Sequence, residues 1–251
     1  MMMLRVMTYN IHKGIGGIDR RYRPQRVIDT IGHYQPDIVF LQEVDEGVPR
    51  SRFDRQAEQI REALGFDHHA YQANVKLTQG HYGNAILSRF ALSETWDIDL
   101  TIRLKKRRQA IVAKVQLHHQ GHSRTLVLTN VHLGLAGFER VIQLSRLLSS
   151  DPLLHIRHDT PAVIGGDFND VWGSLGKKIM NLQGFINASG RSRTFPAYRP
   201  LRSLDAMYYR GGMHLQSSFV GHTALAKHAS DHLPLIADFA VEVAPSDTPQ
   251  S

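Results

Sequence analysis

The chain contains no cysteine, and this absence removes whole classes of chemistry. Disulfide bonds, thiolate metal sites and thiol nucleophiles are all excluded. Long apolar runs are also missing, since no stretch approaches the roughly 18 residues that a membrane-spanning helix needs. The N-terminal sequence MMMLRVMTYN lacks the layout of a signal peptide and is typical of the start of a strand. We therefore expect a cytoplasmic protein without stable membrane insertion.

The sequence also lacks an excess of acidic charge. It holds 30 Lys and Arg against 23 Asp and Glu, which gives a formal net charge of +7. This balance suits an anionic partner such as a phosphodiester or a nucleic acid, although solubility alone would also explain it. Charge therefore permits phosphate chemistry without singling it out.

The length and the composition predict one domain over residues 1–243, which we expect to be a monomer. Proteins with two packed sheets reach about 250 residues as single units. No interior stretch has the composition of a linker. Only residues 244–251, which are rich in Pro, Ser, Thr and Asp, are predicted to form a flexible tail.

Short apolar runs rich in Val, Ile and Leu recur along the chain and predict β-strands. The predicted strands are Leu4–Tyr9, Asp37–Leu41, His69–Asn74, Asn84–Ser88, Ile111–Leu117, Thr125–Val131, Ala162–Gly166, Leu204–Tyr209 and Pro234–Val241.

Four helices are predicted between these strands. One begins at Pro24, a second covers about Asp54–Leu64 and ends before Gly65, and a third covers Phe138–Ser149. A fourth is expected after Asp170. Strands outnumber helices and often follow one another directly, which favours paired sheets with helices outside over a simple alternating parallel fold.

Polar side chains stand at the ends of several predicted strands, where a rigid scaffold can present them to a cleft. Taken alone, each is most often a cap or turn residue. The motifs are TYN at Asn10, LQEVD at Glu43, YGNAILSR at Asn84, TNVHL at His132, GGDFND at Asp167 and Asn169, SDHLPL at Asp231 and His232, and SLDAMYY at Asp205.

Taken together, these motifs supply carboxylates, amides and imidazoles but no thiol. Hard oxygen ligands of this kind favour Mg²⁺, with Mn²⁺ as a substitute, over zinc. The same groups are those that metal-assisted attack on phosphorus requires: a cation for the phosphate oxygens, a base to orient water and an acid for the leaving oxygen. The set therefore predicts a phosphate ester hydrolase.

The order TYN, LQEV, YGNAILSR, NVHL, GDFND, LDxxYY and SDHLP resembles the endonuclease/exonuclease/phosphatase superfamily from about Thr8 to Leu235. The stretches YNIHKGIGG, RRYRP and TFPAYRP are most similar to small bacterial metal-dependent hydrolases of that group. The resemblance implies a deoxyribonuclease I-like α+β fold. This fold is a four-layer α/β/β/α sandwich in which two mixed β-sheets pack face to face with helices outside.

The resemblance also implies a role for each motif residue. Glu43 is expected to be the principal metal ligand, with Asn10 beside it and Asp231 completing the metal side. His132 is expected to contact the phosphate or assist the leaving group, Asp167 to orient or deprotonate water, and Asn169 to hold that water or a phosphate oxygen. His232 is expected to act as acid–base or to stabilise the pentacoordinate transition state, and Asp205 to pair with His232 and fix its tautomer.

Two departures affect specificity more than chemistry. The segment NVHL carries His132 where the AP-endonuclease branch usually has an Asn-containing segment, and Ala206 follows Asp205 where many relatives have a polar or aromatic residue. We expect Asn84, Arg20 and Arg52 to contact an anionic substrate. The Lys105–Arg108 run is expected to be a solvated loop or hairpin.

Two alternatives to a phosphodiesterase, including a nuclease, remain open at this level. One is a phosphomonoesterase or phospholipase-type enzyme acting on a lipid or inositol phosphate. The other, from a different class, is a non-catalytic nucleic-acid-binding protein, which would leave the retained Asn10, Glu43, Asp167 and His232 unexplained. The partner is in each case a phosphate ester, and fold alone does not decide which.

Overall fold

The computed structural model describes residues 1–243, apart from the side chains of residues 176 and 177. The predicted tail, residues 244–251, lies outside the described residues. Within residues 1–243, no helix is long and apolar enough to cross a membrane.

The described residues form twelve strands. These are β1 (Met2–Asn10), β2 (Ile38–Glu46), β3 (His68–Lys76), β4 (His81–Ser88), β5 (Leu92–Asp99), β6 (Gln109–His119), β7 (His122–His132), β8 (Ala162–Asp167), β9 (Ile186–Asn187), β10 (Asp205–Arg210), β11 (Met213–Val220) and β12 (Leu235–Val241). They build two six-stranded sheets, ordered β11-β12-β1-β2-β4-β3 and β5-β6-β7-β8-β10-β9. Each sheet contains one parallel pair, β1 with β2 and β7 with β8, and its other neighbours are antiparallel.

Five α-helices accompany the strands: α1 (Pro24–Tyr34), α2 (Gln56–Leu64), α3 (Gly137–Leu148), α4 (Asp151–Leu154) and α5 (Ala224–Ala229). Helix α1 begins at a proline, which suits a first turn because its missing N–H would have no helical partner there. Helix α2 ends at Gly65, whose φ of 65° is the left-handed conformation that glycine adopts without cost. In place of the fourth predicted helix, a π-helical turn, Gly176–Met180, and a 3-10 turn, Asn181–Gln183, follow Asp170.

Three apolar clusters hold the layers together. The cluster between the sheets joins residues such as Phe40 and Val6 of one sheet to Leu128 and Met207 of the other. A second cluster packs α1 and α2 on the outer face of the first sheet. The third packs α3 and the 175–185 segment on the outer face of the second sheet. The order of layers is therefore helix, sheet, sheet, helix, which confirms the predicted four-layer sandwich.

Buried amide side chains cross between the two sheets near the ends of the parallel strands. Asn130 Nδ2 donates to the carbonyl oxygens of Leu41 and Ala85, each at 2.8 Å, and Gln42 Nε2 donates to Asn130 Oδ1, also at 2.8 Å. A buried amide is stable only when it is hydrogen-bonded, so these contacts fix how one sheet sits on the other. They lie directly behind the strand ends that carry the predicted site.

Candidate active site

The parallel strand pairs carry the predicted site residues to one edge of the sandwich. In the first sheet, Asn10 at the end of β1 lies opposite Gln42, the residue before Glu43. Glu43 has a φ of 57° and sits where the pairing of β2 with β4 shifts register, so this irregularity sets the direction of its side chain. Strand-end carboxylates on parallel strands are well placed to meet in a cleft.

The second sheet brings three more predicted residues to the same edge. His132 at the end of β7 lies opposite Asp167 at the end of β8, and Asp205 at the start of β10 also lies opposite Asp167. The two sheets meet where Asn10 Nδ2 donates to Asp167 Oδ2 at 3.1 Å. The structure therefore brings the two predicted halves of the site together.

Asp167 lies between the two predicted catalytic histidines. Its Oδ2 is 3.6 Å from His132 Nε2 and 3.8 Å from His232 Nε2. Both separations are longer than a direct hydrogen bond, and distances of this size are those that a small bridging molecule such as water spans. Both imidazoles and the carboxylate are nearly inaccessible to solvent.

Asp205 and His232 form the pair that the sequence predicted. His232 Nδ1 donates to Asp205 Oδ2 at 2.8 Å, and the hydroxyl of Thr194 donates to the same oxygen at 2.5 Å. Because a carboxylate only accepts, the proton must lie on Nδ1, which leaves Nε2 directed towards Asp167. Phe195 packs against the His232 ring, with centroids 5.0 Å apart, and limits its rotation.

Burial and neighbouring charges give His232, His132 and Asp167 different pKa values. Burial favours neutral His232, but the adjacent Asp205 carboxylate overrides it and raises the His232 pKa to about 10. Burial lowers the pKa of His132 well below its usual value, and the Arg108 cation adds to this effect. Near neutral pH, His232 is therefore a cation and His132 is neutral. Burial also raises the pKa of Asp167 to about 7, although the charge of His232 opposes this rise.

The Glu43 carboxylate is paired with the side chain of Lys13. Burial works against its ionised form, but the His132 and Lys13 charges lower the Glu43 pKa to about 2. Because burial keeps His132 neutral near pH 7, Lys13 is the cation that matters there. The Lys13 ammonium forms an ion pair with Glu43 Oε2. Asp231, the other predicted carboxylate on this side, is partly exposed, and its Oδ1 lies 3.9 Å from His12 Nδ1.

A second group of ligand atoms lies deeper. Asp167, Asp205 and His232 each offer one potential ligand atom, and these atoms lie within 4.8 Å of one another. However, the Asp205–His232 hydrogen bond already uses two of the three residues, and Thr194 donates to the same Asp205 oxygen. The geometry of this group is therefore that of a carboxylate–imidazole pair beside a second carboxylate.

Two predicted amide contacts differ from expectation. Asn169 is mostly buried, and its Nδ2 donates to the Leu133 carbonyl at 3.0 Å, so its amide nitrogen is engaged in holding the loop after β8. Asn84 is fully buried and donates to the Gln109 carbonyl at 3.2 Å, which bridges the two sheets. The Asn84 amide nitrogen therefore bridges the two sheets, as the Asn130 and Gln42 amides do, and the expected substrate contact of Asn84 stays a prediction.

The two predicted arginines lie in different places. Arg20 lines a cavity of about 290 Å³ together with Asp231, Tyr198 and Lys227, next to the site. Arg52 is exposed and stacks over the Tyr22 ring at 5.9 Å, away from this cavity. Of the two arginines, Arg20 is the one that shares this cavity with the predicted site residue Asp231.

Three polar residues near the site were not predicted. Lys13 contacts Glu43, Thr194 contacts Asp205, and Arg108 is buried close enough to His132 to affect its pKa. The Lys105–Arg108 run was expected to be solvated, which holds for its first three residues but not for Arg108. A basic residue next to an apolar strand start was the only signal for Arg108.

Comparison with known proteins identifies the family. Residues 7–232 match the Endonuclease/Exonuclease/phosphatase family. The protein YbhP of Escherichia coli (strain K12) is 29% identical over 255 residues, with 93% of this chain and 95% of YbhP covered.

Solved structures agree at the level of fold. An endonuclease/exonuclease/phosphatase from Beutenbergia cavernae superposes with a TM-score of 0.79 at 22% identity, covering 95% of this chain and 72% of that one. ANGEL2, described as a 2′,3′-cyclic phosphatase, superposes with a TM-score of 0.75 at 19% identity, with 96% of each chain covered. The chain belongs to the Endonuclease/Exonuclease/phosphatase family and is a phosphoric ester hydrolase.

Proposed function

We propose that the chain hydrolyses phosphodiesters, with water as the nucleophile and Mg²⁺ as its cofactor. The observation that carries this proposal is the position of Asp167, which lies 3.6 Å and 3.8 Å from the Nε2 atoms of His132 and His232. A carboxylate with a pKa of about 7 is half ionised at neutral pH, which is the range in which a general base works best.

The residues on the Glu43 side fit a divalent cation. Glu43 is an ionised carboxylate in contact with the Lys13 ammonium, so this position already stabilises positive charge. Asn10 and Asp231 add oxygen donors of the kind that Mg²⁺ prefers. We assign Glu43, Asn10 and Asp231 as the residues that hold the ion. When bound, Mg²⁺ supplies positive charge to the nonbridging phosphate oxygens.

The second sheet supplies the proton chemistry. Asp167 takes a proton from water, and the Asn10 amide that donates to Asp167 Oδ2 fixes the direction of the carboxylate. His232, held cationic by Asp205, presents a charged N–H donor where negative charge grows on the phosphate. His132 is neutral and buried, so it contacts the phosphate without adding charge.

A hydrolysis panel tests this function. Bis(4-nitrophenyl) phosphate, 4-nitrophenyl phosphate, a 2′,3′-cyclic nucleotide, plasmid DNA, RNA and phospholipids are each incubated with Mg²⁺, Mn²⁺ or EDTA. We expect metal-dependent turnover of the diester and loss of turnover in Glu43→Gln. Glu46→Gln, three residues along the same strand and paired with Arg55 at the surface, is the matched control.

Three results would count against the proposal. Equal turnover with EDTA and with Mg²⁺ would show that the reaction needs no metal. Faster turnover of the monoester than of the diester would make the enzyme a phosphomonoesterase. Binding of nucleic acid without hydrolysis of any ester would contradict the catalytic assignment.

A further inference from the structure

Four loops leave the second sheet at the edge that carries the site. Asp99 pairs with Gln109, the residue after the β5–β6 loop, and Ala110 pairs with Val131, next to His132. The loops at residues 100–108, 133–136, 168–175 and 188–204 therefore all emerge around His132, Asp167 and Asp205. We call the exposed parts of these loops, with the first turn of α3, the rim.

The rim exposes large apolar side chains. Leu104 is 95% exposed, Trp172 83% and Leu135 76%, and Phe138 and Leu201 are also exposed. Single exposed apolar residues are ordinary, but their concentration around one mouth marks an interaction surface. Trp172 and Leu201 line one groove of about 500 Å³, and Asp205 lies on its wall, so the apolar surface leads into the site.

The rim also carries positive charge with almost no acid. The 100–108 loop contains five Lys and Arg, of which all but the buried Arg108 are exposed, and the 188–204 loop contains four exposed Arg. Asp170 is the sole acidic residue in the four loops, and Glu139 is the acidic residue in the first turn of α3. Both are buried: Asp170 accepts from Ser174 and Leu175, and Glu139 pairs with Lys105. The charge of the rim is therefore complementary to an anionic surface.

Apolar and basic parts of the rim are joined. Lys105 Nζ lies 5.4 Å from the centre of the Phe138 ring and pairs with Glu139 at the start of α3. Arg140 donates to the Leu135 carbonyl, and Arg146 of α3 donates to the Thr101 carbonyl at 2.7 Å. These contacts tie two loops to one helix, so the exposed leucines are presented by ordered backbone.

We propose that the rim binds the surface of a membrane containing anionic phospholipids, and that the substrate is a phosphate ester held at that surface. The second half of this statement rests on the proposed phosphodiesterase function. Exposed aliphatic side chains decide against nucleic acid, because Leu104 and Leu135 find no partner on a phosphate backbone but enter a lipid interface favourably. Arg and Lys beside them meet the anionic headgroups.

Vesicle binding tests the first half without any need for catalysis. Wild-type protein is sedimented with vesicles of phosphatidylcholine, with and without phosphatidylglycerol, at low and physiological ionic strength. We expect binding only with phosphatidylglycerol. Leu104→Ser removes about three carbons from the interface, so partitioning should fall at least about tenfold, and Trp172→Ser should lower it at least as much. Leu154→Ser is the matched control, since α4 precedes β8 at the opposite end of the strand from Asp167.

The outcomes separate clearly. The proposal that the rim binds membranes is overturned if the variants Leu104→Ser, Trp172→Ser and Leu154→Ser bind vesicles equally well. It is also overturned if the wild-type protein does not bind phosphatidylglycerol vesicles at physiological ionic strength. Tight binding of duplex DNA with no vesicle binding assigns the cations to nucleic acid and also overturns it. Thermal melting of each variant shows that the surface substitutions leave the fold intact.

A second measurement addresses the substrate. Wild-type protein should release water-soluble phosphate compounds from the vesicles, and Glu43→Gln should not, although it should still bind them. Binding without release from any phospholipid, in a protein that hydrolyses bis(4-nitrophenyl) phosphate in solution, overturns the surface substrate but leaves the proposed function standing. Binding without hydrolysis of the soluble diester instead overturns the proposed function and leaves the membrane contact standing.

Discussion

Replacement of Asp205 by Asn tests the acid–base assignment most sharply, because the two oxygens of this carboxylate have different surroundings. Oδ2 accepts from His232 Nδ1 and from Thr194, whereas Oδ1 is buried and has no hydrogen-bond partner among residues 1–243. An Asn at this position therefore has two orientations, and each has a different cost.

In the first orientation the amide oxygen keeps both hydrogen bonds and the NH₂ group takes the Oδ1 position. A buried donor without a partner costs about 1–3 kcal/mol. In the second orientation the NH₂ group faces His232 Nδ1, which then has to accept, so the proton moves to Nε2 and the imidazole cannot be cationic. Either way, the negative charge that raises the His232 pKa to about 10 is lost.

The size of the effect follows from these two losses. Without the Asp205 charge, burial lowers the His232 pKa against the smaller opposing effects of Asp167 and Asp231. A return to the usual value of about 6.5 would leave about a tenth of the imidazole protonated at pH 7.5. Loss of a charge-assisted hydrogen bond removes a further ~1.5–3 kcal/mol, or about 10- to 100-fold in rate. The two losses multiply, so we expect kcat to fall about 10²- to 10³-fold, less than the ~10⁴-fold loss known for a similar Asp-to-Asn change in a Ser-His-Asp triad.

The assay combines turnover, titration and folding. Turnover of a chromogenic diester is measured for Asp205→Asn, His232→Ala and the double variant, with thermal melting of each. The double variant should lose little more than the worse single one, because the pair acts as a unit. The pKa of His232, followed by NMR of the ring protons, should fall by several units in Asp205→Asn. Thr194→Val is the control, since it removes one donor but leaves the carboxylate charge.

Fully additive losses in the double variant would refute the pairing. A His232 pKa that stays near 10 in Asp205→Asn would refute its physical cause. If Asp205→Asn fails to fold, the Thr194→Val protein still reports on the pair, because a weaker hold on the carboxylate should change the pH profile of kcat.

The remaining predictions concern the metal, the anion contacts and the pH dependence. Glu43→Gln should lower turnover by orders of magnitude, with little rescue by excess Mg²⁺; near-wild-type kcat would remove Glu43 from the site. If Arg20 and Arg52 contact phosphates, a plot of log affinity for duplex DNA against log salt concentration should have a slope near −0.9 per phosphate contact. Arg20→Ala should make this slope shallower than Arg52→Ala does, because Arg20 shares the cavity with Asp231. In the metal-free protein, Asp167 has a pKa raised to about 7 and His232 a pKa raised to about 10, so both groups bind protons more tightly in the folded state than in the unfolded state. The free energy of unfolding should therefore fall as pH rises from about 4 through 7, because of Asp167, and from about 6.5 through 10, because of His232. A melting temperature in EDTA that rises from pH 6 to pH 9 would contradict this prediction.

The apolar strands were predictable because a strand that is buried on both faces has a continuous run of apolar residues in the sequence. Each of the nine predicted strands corresponds to an observed one, although most run a few residues longer. The strands β5, β9 and β11 were missed. All three are edge strands: β5 and β11 expose polar residues, as in LSETWDID of β5, and β9 has only two residues. An edge strand is held by backbone hydrogen bonds on one side alone, which leaves a weak pattern in its side chains.

The site was predictable where a residue ends a strand, and unpredictable where it reaches the site from a neighbouring loop. Asp167 and His132 stand at strand ends, so sequence position alone placed them at the edge. Lys13 and Thr194 contact the site from loops whose course depends on the packed sandwich. For Asn84 the sequence predicts the strand but not the direction of the side chain, whose amide nitrogen donates to the Gln109 carbonyl of the other sheet.

The packing of the two sheets explains why glycine occupies both positions before Asp167, namely Gly165 and Gly166. A Cβ on Gly165 would lie 2.7 Å from the Phe40 ring of the opposite sheet, so glycine lets β8 approach that ring closely. Gly166 has a φ of 146°, and a Cβ there would lie 1.9 Å from the Val131 carbonyl of the neighbouring strand β7. Both glycines immediately precede Asp167, the residue that meets Asn10 from the first sheet. Because the proposed ligands Asn10 and Glu43 stand on one sheet and the proposed base Asp167 on the other, the same close approach that fills the core also sets the distance between them.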